Sequence, residues 1–162
     1  MVPDIAPGIA ASGRTLAGRH VLLVEDEALI AMMLKDALAD AGCTVMVVGS
    51  GQGALDAVQA ASALRFDALV VNLGLPDMDG AEVVARLRAD RPGLPVLVET
   101  GSESCPRIPG EPTAVLVKPF DPATLVAAVA ELIVQAQRGD ANRAPDEAIP
   151  DARMRGAGIR PD

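Results

Sequence analysis

The chain has 162 residues, half of them hydrophobic, with two phenylalanines and no tyrosine or tryptophan. That size suits one domain, and the composition argues against an aromatic platform for stacking single-stranded nucleic acid. A formal charge of −8, from 14 basic and 22 acidic residues, argues against nonspecific polyanion binding, and two cysteines cannot build a disulfide scaffold.

Residues 1–18 and 138–162 are each neutral overall, rich in Gly, Pro, Ala and Arg, and without apolar periodicity. They read as disordered tails. Residues 19–137 hold 8 basic against 16 acidic residues, which is the whole net charge, and form the expected domain. It opens with an apolar run, His20 to Val24. Leu29, Ile30, Met33, Leu34, Ala37, Leu38 and Ala41 follow at helical spacing, with Gly42 as the stop. Thr44 to Val48 reads as a second strand, and Leu55, Val58 and Ala61 or Ser62 mark a second helix. Ala68 to Val71 is a continuous apolar strand, as expected when both faces are covered. Val83, Val84 and Leu87 mark a third helix, with Asp79 and Glu82 as a capping-box-like start. Pro95 to Val98 and Ala114 to Val117 are two more strands. Pro106, Pro109 and Pro112 forbid a helix between them, so that crossover is expected to be a loop. Asp121 caps a last helix with Pro122 at its first position, and Leu125, Val129, Leu132 and Ile133 form its buried face.

Alternating strands and helices imply a doubly wound α/β sheet of five parallel strands. In such a sheet, function gathers at the C-terminal strand ends. The residues there are Glu25 and Asp26 after the first strand, Asn72 after the third, Glu99 and Thr100 after the fourth, and Lys118 after the fifth. Carboxylate oxygens suit Mg²⁺, and a hydroxyl and an ammonium suit a phosphoryl group.

These residues lie in five ordered motifs: Val21-Leu22-Leu23-Val24-Glu25-Asp26-Glu27, Phe66-Asp67-Ala68-Leu69-Val70-Val71-Asn72, Leu75-Pro76-Asp77-Met78-Asp79-Gly80, Pro95-Val96-Leu97-Val98-Glu99-Thr100-Gly101 and Val117-Lys118-Pro119-Phe120. With them the chain resembles the receiver domain of bacterial two-component response regulators, over about residues 19–137. The resemblance implies a flavodoxin-like sheet of strand order 2-1-3-4-5, here with the helix before the last strand shortened or missing. It implies an Mg²⁺ site at Glu25, Asp26 and the Gly74 carbonyl, phosphoryl contacts from Thr100 and Lys118, and a cis bond before Pro119. It also implies a cytoplasmic signalling module, not an enzyme, whose partner is a sensor histidine kinase, a phosphotransfer protein or another signalling protein, with no nucleic acid or membrane involved.

Two departures matter. The acceptor position, an Asp in the family, is Asn72, so the module is expected to be degenerate, with weakened Mg²⁺ binding; residues 138–162 are too few for an output domain, so it is also expected to be stand-alone. The switch position, often aromatic, is Val115. An alternative keeps phosphoryl transfer by moving the acceptor to another carboxylate such as Asp77; Asp67 lies at the wrong end of its strand. A third reading is a small nucleotide-binding enzyme using the loop Gly49 to Ala54, which fits a loose dinucleotide fingerprint. Met32, Met33 and Met46 read as core filler, Arg86, Arg88 and Arg91 as a solvated helix face, and Cys105 as inert.

Overall fold

The Val- and Leu-rich runs become β1 (His20–Val24), β2 (Thr44–Val48), β3 (Ala68–Asn72), β4 (Val96–Thr100) and β5 (Thr113–Val117). The structure is a computed structural model that describes residues 16–61 and 65–142. All neighbouring strands pair in parallel, in the order β2-β1-β3-β4-β5. The helices are α1 (Ala28–Asp40), α2 (Gly51–Ala60), α3 (Gly80–Asp90) and α4 (Pro122–Asn142). This is the expected doubly wound, flavodoxin-like sheet, and among the described residues no helix joins β4 to β5.

Local chemistry sets the helix ends. Gly42, at φ +102°, closes α1 while its N–H donates to the Ala39 carbonyl and the Cys43 N–H donates to the Leu38 carbonyl. The Ser50 hydroxyl accepts from the Gly53 N–H at 3.0 Å at the start of α2. Asp79 caps α3 by accepting from the Ala81 N–H at 2.9 Å, but Glu82 pairs with Arg86 along the helix. Asp121 accepts from the Ala123 N–H at 3.1 Å, and Pro122 opens α4.

Two apolar layers sandwich the sheet. On one face Val21, Leu23, Val70 and Leu97 meet Leu34 and Leu38 of α1 and Leu125, Val129 and Ile133 of α4. On the other, Leu22, Val24, Leu69, Val71, Val96 and Val98 meet Ala54 of α2 and Val83, Val84 and Leu87 of α3. Every residue of β3 and β4 is buried, whereas the edge strands β2 and β5 are partly open.

Four expectations need correction. Leu29 is 82% exposed, and Met32, Met33 and Met46 are exposed too, so these methionines are not core filler. The buried stripe of α1 is Ala31, Leu34 and Leu38. Met33 lies one residue, about 100° of helix rotation, before Leu34, and Leu29 lies two residues, about 200°, before Ala31, so both turn away from that stripe. Helix α4 continues to Asn142, beyond the boundary set at 137, because extending a docked helix costs little once its turns are formed. Leu16 is fully buried, and its carbonyl accepts from the Arg19 N–H, so the domain begins before residue 19. The rest of both expected tails lies outside the described residues.

The fourth correction is Arg88, which is buried, not solvated. Its Nε and one Nη donate to the Leu94 carbonyl at 3.2 and 3.0 Å, and that Nη also donates to the Pro112 carbonyl at 2.8 Å. The other Nη donates at 2.8 Å to both the Pro109 carbonyl and the Thr113 hydroxyl. All five guanidinium N–H groups are thereby used. Burial holds the guanidinium below its usual range, with Glu111 opposing. The proline-rich crossover is thus strapped to α3 by one side chain. Gly110, at φ +101°, lies against it, and a Cβ there would sit 2.9 Å from the Arg88 Nη. Cys105 and Ile108 of the strap pack on the α2–α3 layer in place of a helix.

Candidate functional site

Because the strands run parallel, the residues at their C-terminal ends meet along one edge. Pleating sends alternate side chains to opposite faces. Leu23, Val70 and Leu97 all face α1 and α4, so two residues on, Glu25, Asn72 and Glu99 continue the same rows. Asn72 and Glu99 are register partners across β3 and β4. Lys118 follows β5, and its N–H donates to the Thr100 carbonyl at 2.7 Å.

The Asn72 carboxamide is the hub. Its Nδ2 donates to Glu25 Oε1 at 3.2 Å and to Asp26 Oδ1 at 3.1 Å. Its Oδ1 accepts from the Gly74 N–H at 3.2 Å. Glu25 also accepts from the Glu27 N–H at 3.1 Å through Oε1 and pairs with Lys118 Nζ at 3.3 Å through Oε2. Gly80 permits this packing: a Cβ there would clash with the Asn72 carbonyl oxygen.

Glu99 was legible as a strand-end acid, but its environment was not. It is fully buried, and neither carboxyl oxygen has a hydrogen-bond partner. Lys118 Nζ is 4.0 Å away. Burial first, then Glu25, push the Glu99 carboxyl up to about 8, against the pull of Lys118. As a carboxylate it accepts no hydrogen bond and has the Lys118 ammonium only at ion-pair distance; as a neutral acid it becomes a donor itself, with Glu25 as the neighbouring acceptor. A five-residue strand buried throughout, with one acid in it, was the signal that could have flagged Glu99.

The other expected site residues are placed as follows. Thr100 is buried at the same strand end, but its hydroxyl engages Ser102, accepting from the Ser102 N–H at 3.1 Å. Val115 is exposed on β5 and packs into neither apolar layer. The Lys118–Pro119 bond is cis, as the resemblance implied. Asp67 sits before β3, at the opposite edge, and accepts from the His20 N–H at 2.8 Å.

Asp77 has both carboxylate oxygens occupied, each accepting at 2.8 Å from the N–H groups of Gly51 and Gln52 at the start of α2. Those bonds hold its carboxyl below the usual range. The same contacts answer the glycine loop. The backbone donors with which Gly51 and Gln52 would cradle a phosphate already hold an internal carboxylate.

The response regulator receiver domain family matches residues 21–130. Transcriptional regulatory protein TcrA of Mycobacterium tuberculosis is 35% identical over 148 residues, covering 89% of this chain and 56% of TcrA. The chain thus spans about half the length of that curated relative. A response regulator receiver protein from Sinorhizobium medicae WSM419 superposes with a TM-score of 0.63 at 26% identity, covering 75% of this chain and 98% of that one. A CheY-like receiver domain protein from Methanospirillum hungatei JF-1 shares the fold, with a TM-score of 0.68 at 22% identity over 76% of this chain and 99% of that one.

Receiver domains commonly bind Mg²⁺ at this acidic edge. The donor set here does not fit the ion. The Asn72 amide presents N–H groups, not an oxygen, to Glu25 and Asp26, and among the described residues no three His, Cys, Asp or Glu side chains are grouped to hold a metal.

Proposed function

The chain belongs to the response regulator receiver domain family, and from that premise we propose that it is a degenerate receiver. It serves phosphorelay signal transduction through protein–protein contact, without accepting a phosphoryl group. Receiver domains are signalling modules, not typical enzymes. The observation that carries the reading is the Asn72 carboxamide at the centre of the cup, bonded on every side. Phosphoryl acceptance needs a carboxylate oxygen as nucleophile, to form an acyl phosphate. An amide nitrogen delocalised into its carbonyl and donating to two carboxylates has no lone pair to offer. Asp77, the alternative acceptor, is committed to capping α2.

The partner class is a sensor histidine kinase, a phosphotransfer protein or another signalling protein. A net charge of −8 favours protein over nucleic acid as the partner. No helix among the described residues is long and apolar enough to cross a membrane, and the cytoplasm is the compartment this reading assigns.

The test is incubation of the chain with a small phosphodonor and Mg²⁺, and separately with a phosphorylated histidine phosphotransfer protein. The expected result is no acid-labile label in either case, together with binding of the phosphotransfer protein that is the same with and without donor. Stoichiometric hydroxylamine-sensitive label on the unaltered chain overturns the reading.

A further inference from the structure

We propose that the Asn72 carboxamide occupies the bridging place of a divalent cation, so that the cup is closed by its own side chains and holds its shape without metal. The inference deepens the function proposed above and rests on its reading of Asn72 as a non-acceptor.

Three observations carry it. An amide nitrogen has two N–H groups, and here each acid of the couple lies within reach of it, Glu25 at 3.2 Å and Asp26 at 3.1 Å. A charge-assisted pair of this kind does for two carboxylates what a shared cation does: it offsets their repulsion and fixes their separation. Next, the orientation of the amide is set from outside the cup. The Gly74 N–H at 3.2 Å can be accepted only by the carboxamide oxygen, so turning the amide over would oppose that donor with an NH₂ group and aim its oxygen at two acids. Gly80 lets the next helix approach the Asn72 carbonyl closely, since any Cβ there would clash with it. Last, the second oxygen of Glu25 is taken by Lys118 at 3.3 Å. Both oxygens of Glu25 and one of Asp26 are thus engaged before any ion arrives. A cation entering the cup must displace the amide and break its bond to Gly74.

The test uses the full chain labelled with ¹⁵N and titrated with Mn²⁺, a paramagnetic probe that broadens nearby amide signals, beside Asn72→Asp. The expected result is that signals of Glu25, Asp26 and Gly74 broaden in Asn72→Asp at concentrations at least about tenfold below those needed for the unaltered chain. The Asn72 side-chain NH₂ pair of the unaltered chain should exchange slowly with water and stay in place under millimolar Mg²⁺. Equal broadening of the two proteins overturns the inference. So does a failure of Asn72→Asp to bind Mn²⁺, because the amide would not then be what closes the cup. If the unaltered chain binds Mn²⁺ in the cup as tightly as Asn72→Asp yet takes no phosphoryl label, the metal-free cup is refuted and the degenerate receiver stands. If it takes label, the receiver reading itself is refuted.

Discussion

The sheet carries a polar cluster at each edge of its second half, and the two are built on opposite terms. At the N-terminal ends of β4 and β5, Arg88 is buried with every guanidinium N–H matched to a carbonyl or hydroxyl. At the C-terminal ends, Glu99 is buried just as deeply with both oxygens unmatched. A fully satisfied buried cation behaves as a structural tie. A buried acid left short of partners costs free energy, and such costs concentrate where a protein works. The comparison therefore separates the strap that replaces a crossover helix from the cup through which the module is proposed to act.

Removing the satisfied cation should have the largest effect. Arg88→Ala strips donors from three backbone carbonyls and frees the crossover, so denaturant unfolding should show a loss of about 3–5 kcal/mol. Hydrogen exchange in residues 101–112 should quicken first. An Arg88→Ala variant as stable as the parent would erase the distinction between the two clusters.

The unsatisfied acid predicts a pH dependence of a particular sign. The folded-state value of Glu99 lies at about 8, above its ordinary 4.5, so the unfolded chain releases this proton more readily. Its contribution is fully present below about 4.5 and is lost as pH rises through about 8. Unfolding free energy should therefore drop by a few kcal/mol over that window, and Glu99→Gln should flatten the drop. A parent and variant with parallel pH profiles would mean that Glu99 is solvated or hydrogen-bonded by Lys118.

A smaller change is expected at the hub. Asn72→Asp replaces two donors with a third negative charge beside Glu25 and Asp26. In chelator it should cost about 1–3 kcal/mol, recovered on adding Mg²⁺, as read from melting curves with and without the ion. The smallest effect belongs to neither cluster. Glu82→Gln removes an exposed pair with Arg86 along α3 and should shift stability by less than about 0.5 kcal/mol, which calibrates the others.

The sequence by itself determined the strands and most helix starts. β1 and β2 fall on the residues expected, and Asp79, Asp121 and Pro122 hold the places their chemistry suggests. These features depend on neighbours within a few positions, where backbone preference and alternation act. It also named the residues of the cup, because parallel strands place their ends together whatever packs around them. Tertiary structure alone decided the fate of the charges. Arg88 finds its carbonyls 21 and 24 residues away, and Lys118 meets Glu25 across 93. Whether a charged side chain is solvated, matched or stranded depends on groups that no local pattern encodes. Arg86 and Arg88, two residues apart on one helix, therefore ended in opposite surroundings.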